Sequence, residues 1–246
     1  MKRVALAAMV AVAIASSFAA CGGGDDAGKA SAAAATAVPG SPAATPSGDR
    51  FVDALAKLNY TGIPQAGTTL GKPDAPVTIE MYEDFACSHC MEFTALLEAG
   101  IVEQLVKPGK AKLEFHYFPL RQASVVPMVA AECAADQNRF WDYQKRLFTE
   151  QAIADALPPD KGGEALATAF GEAALKGFAK DLGLDSDKFA TCFAGQPPLQ
   201  RIQDDLRKVE KQGMQGTPTF VVNGKALLSG SPSTVAEWKT LVESTK

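Results

Sequence analysis

The sequence predicts an α/β fold with an inserted helical domain, on three observations. An apolar strand pattern, Val77 to Tyr82, runs into a helical pattern opened by Cys87-Ser88-His89-Cys90, and a second strand, Leu113 to Phe118, follows. Strand chemistry returns near the C-terminus at Thr219-Phe220-Val221-Val222, with Asn223-Gly224 as a two-residue turn and a helix to close. Between them lies a helical pattern over about 121–212. A βαβ unit and a ββα unit split by helices make a layered sheet with a helical insertion.

Length and composition bound the function classes. Of 246 residues, 47% are hydrophobic and 21% charged, which fits a globular chain with a sizeable core. The formal net charge is −4; setting aside Lys2 and Arg3 leaves 22 of the 24 basic residues against 28 acidic ones. No basic stripe is present to neutralise phosphates, which argues against nucleic acid as a partner.

Met1-Lys2-Arg3 and the alanine-rich apolar run from Val4 to Ala20 read as an export signal over 1–20. The run is too weakly apolar to favour a permanent membrane-spanning helix. Phe18-Ala19-Ala20-Cys21 is similar to the lipobox of bacterial lipoproteins, in which that cysteine is lipidated and becomes the mature N-terminus. Phe18 stands where Leu is usual. Plain secretion and an uncleaved anchor are the alternatives, and all three place the domain outside the cytoplasm. Residues 21–50 then read as a lipid-anchored linker. Gly22 to Gly48 is nearly all Gly, Ala, Ser, Thr and Pro and could not repay its own ordering entropy. As a flexible tether it would span about 25–30 Å. The folded domain is expected over 51–246.

Within that domain each element follows from a local pattern. Phe51, Leu55 and Leu58 share a helical face, Thr68 to Gly71 reads as a brief strand, and Pro73-Asp74-Ala75-Pro76 as a turn. Val77-Thr78-Ile79-Glu80-Met81-Tyr82 alternates with period two and is a strand; Glu83 and Asp84 beyond it read as solvated loop residues. Phe93, Leu97, Ile101 and Leu105 recur at four-residue steps in the helix over Met91 to Val106, which Pro108-Gly109 stops. Pro119 ends the second strand. In the helical block the clearest runs are Val129 to Ala135, Phe140 to Phe148, Glu164 to Leu182, Ser186 to Ala194 and Leu199 to Val209, the last capped by Gly213. Phe140, Trp141, Tyr143 and Phe148 are expected to pack a core. Asn223-Gly224 turns the third strand back along Lys225 to Leu228, and Pro232 to Val242 forms the last helix.

The chemistry sits on cysteine, which attacks as thiolate. A helix N-terminus lowers its pKa from about 8.5 into a range of about 3.5–7.5, because unpaired backbone N–H groups favour an anion there. Cys87 is expected as the exposed member at that position. Cys90, one turn on, is the buried member that resolves a mixed disulfide. The His89 imidazole between them is expected to stabilise the thiolate further. With Cys21 set aside for lipid, the five cysteines leave an even four, suited to an oxidising compartment. Cys133 and Cys192 fall in two helices of the block. They are either free core thiols or a structural disulfide, and the compartment favours the disulfide. A zinc site needs four ligands, and beyond CSHC only His116 and the two lone cysteines are left. A permanent Cys87–Cys90 bridge would gain little entropy from so short a loop. No cofactor and no metal are expected.

Glu83-Asp84-Phe85-Ala86 leading into Cys87-Ser88-His89-Cys90, Phe115 to Leu120 on the next strand, an inserted helical block, and then Gly216-Thr217-Pro218-Thr219 form a pattern over about Leu70 to the C-terminus. In it the chain resembles the DsbA-like branch of the thioredoxin superfamily. The resemblance implies a thioredoxin-like fold, Cys87–Cys90 as a redox disulfide, and Pro218 in cis against it. It implies that Thr217 tunes the pair and offers backbone hydrogen bonds to an extended substrate chain. Related folds bury a carboxylate below the resolving cysteine to move its proton, and Glu80 on the first strand is taken for that role. Histidine at position 89 goes in the family with an oxidising disulfide; Ser88 stands where such oxidases often carry proline, so the direction of electron flow stays open. The implied protein is an extracytoplasmic, membrane-tethered, monomeric disulfide oxidoreductase. It would oxidise thiols of reduced or unfolded exported proteins and be reset by a membrane redox partner. A reductase, and a non-enzymatic metal- or thiol-binding protein using the same CSHC site, are the competing readings.

Overall fold

The structure, a computed structural model, describes residues 47–228 and 230–245. The export segment 1–20, Cys21 and residues 22–46 of the expected linker lie outside the described residues. Helix α1 (Ser47–Ala56) starts inside the last residues assigned to that linker and buries Phe51 and Leu55. Two short strands follow, β1 (Gln65–Ala66) and β2 (Thr69–Leu70), then β3 (Val77–Glu83). The helical run after the cysteines begins as α2 (Ser88–Phe93). It continues through a π-helical segment (Thr94–Glu98), one α-helical turn α3 (Ala99–Ile101) and a second π-helical segment (Val102–Val106). Strand β4 (Ala111–Tyr117) closes the βαβ unit.

Six α-helices separate β4 from the last strands: α4 (Val125–Ala135), α5 (Phe140–Ala156), α6 (Pro159–Ala169), α7 (Glu172–Asp181), α8 (Ser186–Phe193) and α9 (Pro197–Gln212). The single helix expected over Glu164 to Leu182 is two, because Gly171 takes an extended conformation (φ −72°, ψ 150°) and caps the second. Glycine stabilises a helix interior least of the non-proline residues, so the break falls where continuing costs most. The chain ends in β5 (Thr219–Val222), β6 (Lys225–Ala226) and α10 (Val235–Ser244), which opens with a capping box between Thr234 and Glu237.

The sheet has the order β1-β2-β4-β3-β5-β6 among the described residues, with β3 parallel to β4 and antiparallel to β5. This is a thioredoxin-like α/β fold. Strand alternation assigns the two faces. Val77, Ile79 and Met81 of β3 and Leu113, Phe115 and Tyr117 of β4 enter the main core with Cys90, Phe93 and the α5 aromatics. Tyr82 faces the other way, into a smaller cluster with Val209, Met214 and Val221. Phe140, Trp141, Tyr143 and Phe148 are all fully buried, as the sequence predicts; each such ring contributes about 1.5–3 kcal/mol by leaving water. Cys133 on α4 and Cys192 on α8 are joined by a disulfide, with Cα atoms 5.6 Å apart. No helix among the described residues is long and apolar enough to cross a membrane.

Candidate active site

The site forms where the central strand hands over to its helix. Beyond Glu83, Asp84 turns the chain: its carboxylate accepts from the Ala86 and Leu120 backbone N–H groups, both at 2.8 Å, and its carbonyl accepts from Cys87 N–H. Asp84 therefore ties the loop before the cysteines to the loop after β4. It is buried, as is Glu83, so the reading of both as solvated loop residues is corrected. Cys87 is the N-cap of α2, extended at φ −101° and ψ 116°, with its carbonyl accepting from Met91 N–H. Its sulfur thus sits at the open end of the helix.

The antiparallel register brings the second motif to the same place. Tyr82 pairs with Thr219, so the two residues before β5 lie beside the chain leaving β3. The Thr217–Pro218 peptide is cis. The Thr217 carbonyl lies 3.6 Å from Cys87 Sγ and accepts from the thiol. Once that proton is gone a carbonyl has nothing to donate; the Thr217 hydroxyl, buried and without another partner, is the group that can turn to the thiolate.

The two cysteines are both unbonded to each other and chemically unlike. Cys87 is lowered to about 6. The Cys90 thiol that donates to it is the largest cause; Thr217 and the backbone N–H groups of Cys90 and His89 add to it, against the cost of burial. Cys90 has no exposed surface, and burial pushes its thiol well above the ordinary range, with the hydrogen bond to Cys87 and the Glu83 charge adding to the effect.

His89 acts otherwise than its imidazole suggests. The ring is exposed and faces Glu92, with Nδ1 3.4 Å from the carboxylate. What His89 gives the thiolate is its backbone N–H. A side chain at the second helical position projects outward, and the imidazole follows that direction.

Glu80 is not the carboxylate beneath the dithiol. It shares the opposite face of β3 with Tyr82, whose hydroxyl donates to it at 2.9 Å, and it lies 3.4 Å from His116 Nε2. His116 is occupied on its other nitrogen by Asp205 at 2.8 Å. Glu83, three residues on and on the core face, is the acid whose charge raises Cys90 and which the Cys87 charge raises in turn. It is completely buried and neither of its oxygens has a hydrogen-bond partner among the described residues. Burial, then the Glu98 charge, then the Cys87 charge push its carboxyl well above the ordinary range. Glu83→Gln is expected to slow the step at Cys90 by about 10²-fold, the usual scale for a lost general acid or base. Glu80→Gln is expected to leave that step unchanged. Single-turnover reduction by a small dithiol separates the two variants.

Beside the dithiol runs a cavity of about 600 Å³, lined by His89, Phe93, Leu96, Thr217, Pro218 and Leu228 among others. Leu96 and Leu228 are more than half exposed. Such a groove offers apolar contacts next to a sulfur and a strand-like backbone edge.

Residues 65–244 match the family model described as Thioredoxin. Over 158 residues, 63% of the chain, the sequence is 30% identical to the Na(+)/H(+) antiporter NhaA 1 of Salinispora arenicola, of which that stretch covers 21%. Over 164 residues, 64% of the chain, it is 26% identical to disulfide bond formation protein D of Bacillus subtilis and covers 68% of it. The chain thus spans about a fifth to a quarter of the length of the antiporters it matches. Among solved structures, BdbD from Bacillus subtilis in its oxidised form superposes with a TM-score of 0.59 at 22% identity, covering 72% of this chain and 91% of that one. MdbA, a thiol-disulfide oxidoreductase from Corynebacterium diphtheriae, superposes with a TM-score of 0.59 at 18% identity, covering 80% and 98%.

Proposed function

Since the chain belongs to the thioredoxin family, we propose that it is a thiol:disulfide oxidoreductase that oxidises thiols of exported proteins through Cys87 and Cys90. The observation that carries this reading is the asymmetry of the pair, Cys87 lowered to about 6 and Cys90 raised. A thiolate stabilised in the reduced protein makes that state favourable, so the corresponding disulfide is readily given away. Ser88 does not oppose this, because the stabilising groups are Cys90, Thr217 and backbone N–H donors.

The exchange then runs in two steps. A substrate thiolate attacks Cys87 Sγ of the Cys87–Cys90 disulfide; a substrate–Cys87 bond forms, the internal bond breaks, and Cys90 leaves as thiolate and takes a proton. A second substrate thiolate attacks the substrate's own sulfur, forming the substrate disulfide and releasing Cys87 as thiolate. The groove beside Thr217 and Pro218 would hold the substrate as an extended strand, with the Thr217 backbone as its partner. A membrane redox partner would take the two electrons and restore the disulfide. Placement outside the cytoplasm rests on residues 1–20 and on Cys21 as a lipid anchor, and the Cys133–Cys192 bond suits an oxidising compartment.

The test is transfer from the oxidised full-length protein to a reduced, unfolded model protein, read as loss of substrate thiols. Cys87→Ala is expected to abolish it. The thiolate absorbance of the reduced protein is expected to titrate near pH 6, and the reduction potential to lie towards that of DsbA (about −120 mV). A potential near that of thioredoxin (about −270 mV) would select a reductase instead.

A further inference from the structure

A second cleft reaches the active-site loop, and disulfide exchange by itself does not call for it. Two cavities of about 360 and 330 Å³ share Ala86, Arg121, Gly163 and Leu166 as walls, so they adjoin between the Cys87 loop, the segment after β4 and α6. This cleft has no wall in common with the groove beside Thr217 and Pro218: Ala86 and Ser88 line the one, His89 the other. Cys87 adjoins both, bonded to Ala86 and Ser88 and hydrogen-bonded to the Thr217 carbonyl.

The walls carry polar groups that packing leaves unused. Gln151 is buried; its Nε2 donates to Asp155 Oδ1 at 2.8 Å and lies 3.5 Å from Ser88 Oγ, while its Oε1 has no partner among the described residues. Ser124, also buried, has no partner for its hydroxyl among them. Buried polar groups are ordinarily paired, so these two mark where a partner from outside completes the set. Arg121 is exposed and takes part in no ion pair among the described residues. Asp155, the other charged wall, is engaged by Gln151. Gly163 borders both cavities from the middle of α6. A Cβ there would meet nothing within 4 Å, whereas one on Gly162 would come within 2.6 Å of the Ala154 carbonyl oxygen. Packing therefore accounts for Gly162 alone; Gly163 weakens the helix relative to alanine and leaves the cleft open.

We propose that this cleft is a second substrate subsite, in which Arg121 is the specificity-determining residue and pairs with a carboxylate of the substrate chain close to its cysteine. The inference rests on the thiol exchange above. A substrate cysteine held at Cys87 has one arm of its chain along Thr217, and the other arm enters the cleft. An extended chain rises about 3.3 Å per residue, so an acid two residues from the cysteine stands about 7 Å from it. Arginine holds a carboxylate through two parallel hydrogen bonds, and the apolar neighbours of that acid lie against Leu166 and Phe170.

The experiment presents the reduced full-length protein with peptides whose single cysteine is bonded to a small chromogenic thiol. The Cys87 thiolate attacks the peptide sulfur, the Cys87–peptide bond forms, and the chromogenic thiolate is released and read by absorbance. Each rate is divided by that with the symmetrical disulfide of the small thiol, which carries no peptide to fill the cleft. The peptides carry Glu or Gln two residues before the cysteine, or two residues after it. At one of these positions Glu is expected to react about fivefold faster than Gln, and at the other the two should react alike. Raising the ionic strength should shrink the preference, which a merely structural Arg121 would not cause. Arg121→Glu should reverse it. Gly163→Leu, which fills the cleft and strengthens α6, should melt no earlier than the parent and abolish it. Equal rates for Glu and Gln at both positions, an equal preference at both, or a preference that survives either substitution overturns the proposal. Reduced Cys87 makes this attack whichever way electrons flow. A protein that shows the preference but oxidises no protein thiols would therefore overturn the oxidase reading alone.

Discussion

Cys90→Ala is expected to lower multiple-turnover disulfide transfer by about 10³-fold or more while leaving Cys87 reactive. Cys87 retains a little exposure and stands at the open end of α2, whereas Cys90 has none. Attack from solvent therefore falls on Cys87, and only Cys90 is placed to close the ring or release a bound partner. Offered a protein disulfide, the Cys90→Ala variant should capture half of it as a stable adduct. Non-reducing electrophoresis or intact mass would show that adduct, and Cys87→Ala should show none. The variant should also titrate differently. The Cys90 thiol is the largest support of the Cys87 thiolate, so its loss should move the titration up from about 6, with the helix N–H donors and Thr217 still holding it below a free cysteine. An unchanged rate would remove Cys90 from the mechanism. An unchanged titration would mean that the helix end and Thr217 set the acidity of Cys87 without the Cys90 thiol.

Much of this was legible in the sequence, and the misses have physical causes. The apolar alternation of β3, the four-residue steps of the following helix and the Asn223-Gly224 turn yield the right elements in the right order. β1 and β2 are two residues each, too short for any alternation to show, and β1 goes unseen. Glu83 was readable in principle. It continues the odd-numbered face of Val77, Ile79 and Met81, and Glu80 belongs with Thr78 and Tyr82 on the other. Its charge reads as that of a loop residue, against the phase that places it in the core. Glu98 is also in step with Cys90, but nothing local marks an acid at that position as buried. Tyr60 and Gln144, which hold it, are 38 and 46 residues away. The direction of the His89 ring is a matter of side-chain rotamer, which spacing does not encode. The Cys133–Cys192 pairing, by contrast, is the one that the cysteine count and the compartment favour in the sequence, and α4 and α8 pack so as to form it.

The largest stability effect is expected from that second pair. The bond joins α4 to α8 across a sequence separation of 59, enclosing α5, α6 and α7. In the chain-entropy model, closing a loop of this length stabilises the fold by about 4 kcal/mol, which for a domain of this size is about 8–16 °C in Tm. Cys133 is fully buried, so its replacement by Ala adds a small void, a lesser loss on the scale of a missing methylene. The informative variant is the double one, Cys133→Ala with Cys192→Ala. A single substitution would leave a lone thiol beside an active dithiol, and exchange with Cys87 would confuse both stability and activity. Neither cysteine lines the groove beside Thr217 and Pro218, so the double variant should melt early yet transfer disulfides at the parent rate below its transition. Thermal unfolding followed by circular dichroism, with transfer assayed at 25 °C, checks both halves. A melting curve coincident with the parent would show that the helices of the insertion hold together without the bond. Early melting accompanied by lost transfer at 25 °C would instead tie the insertion directly to the geometry of Cys87.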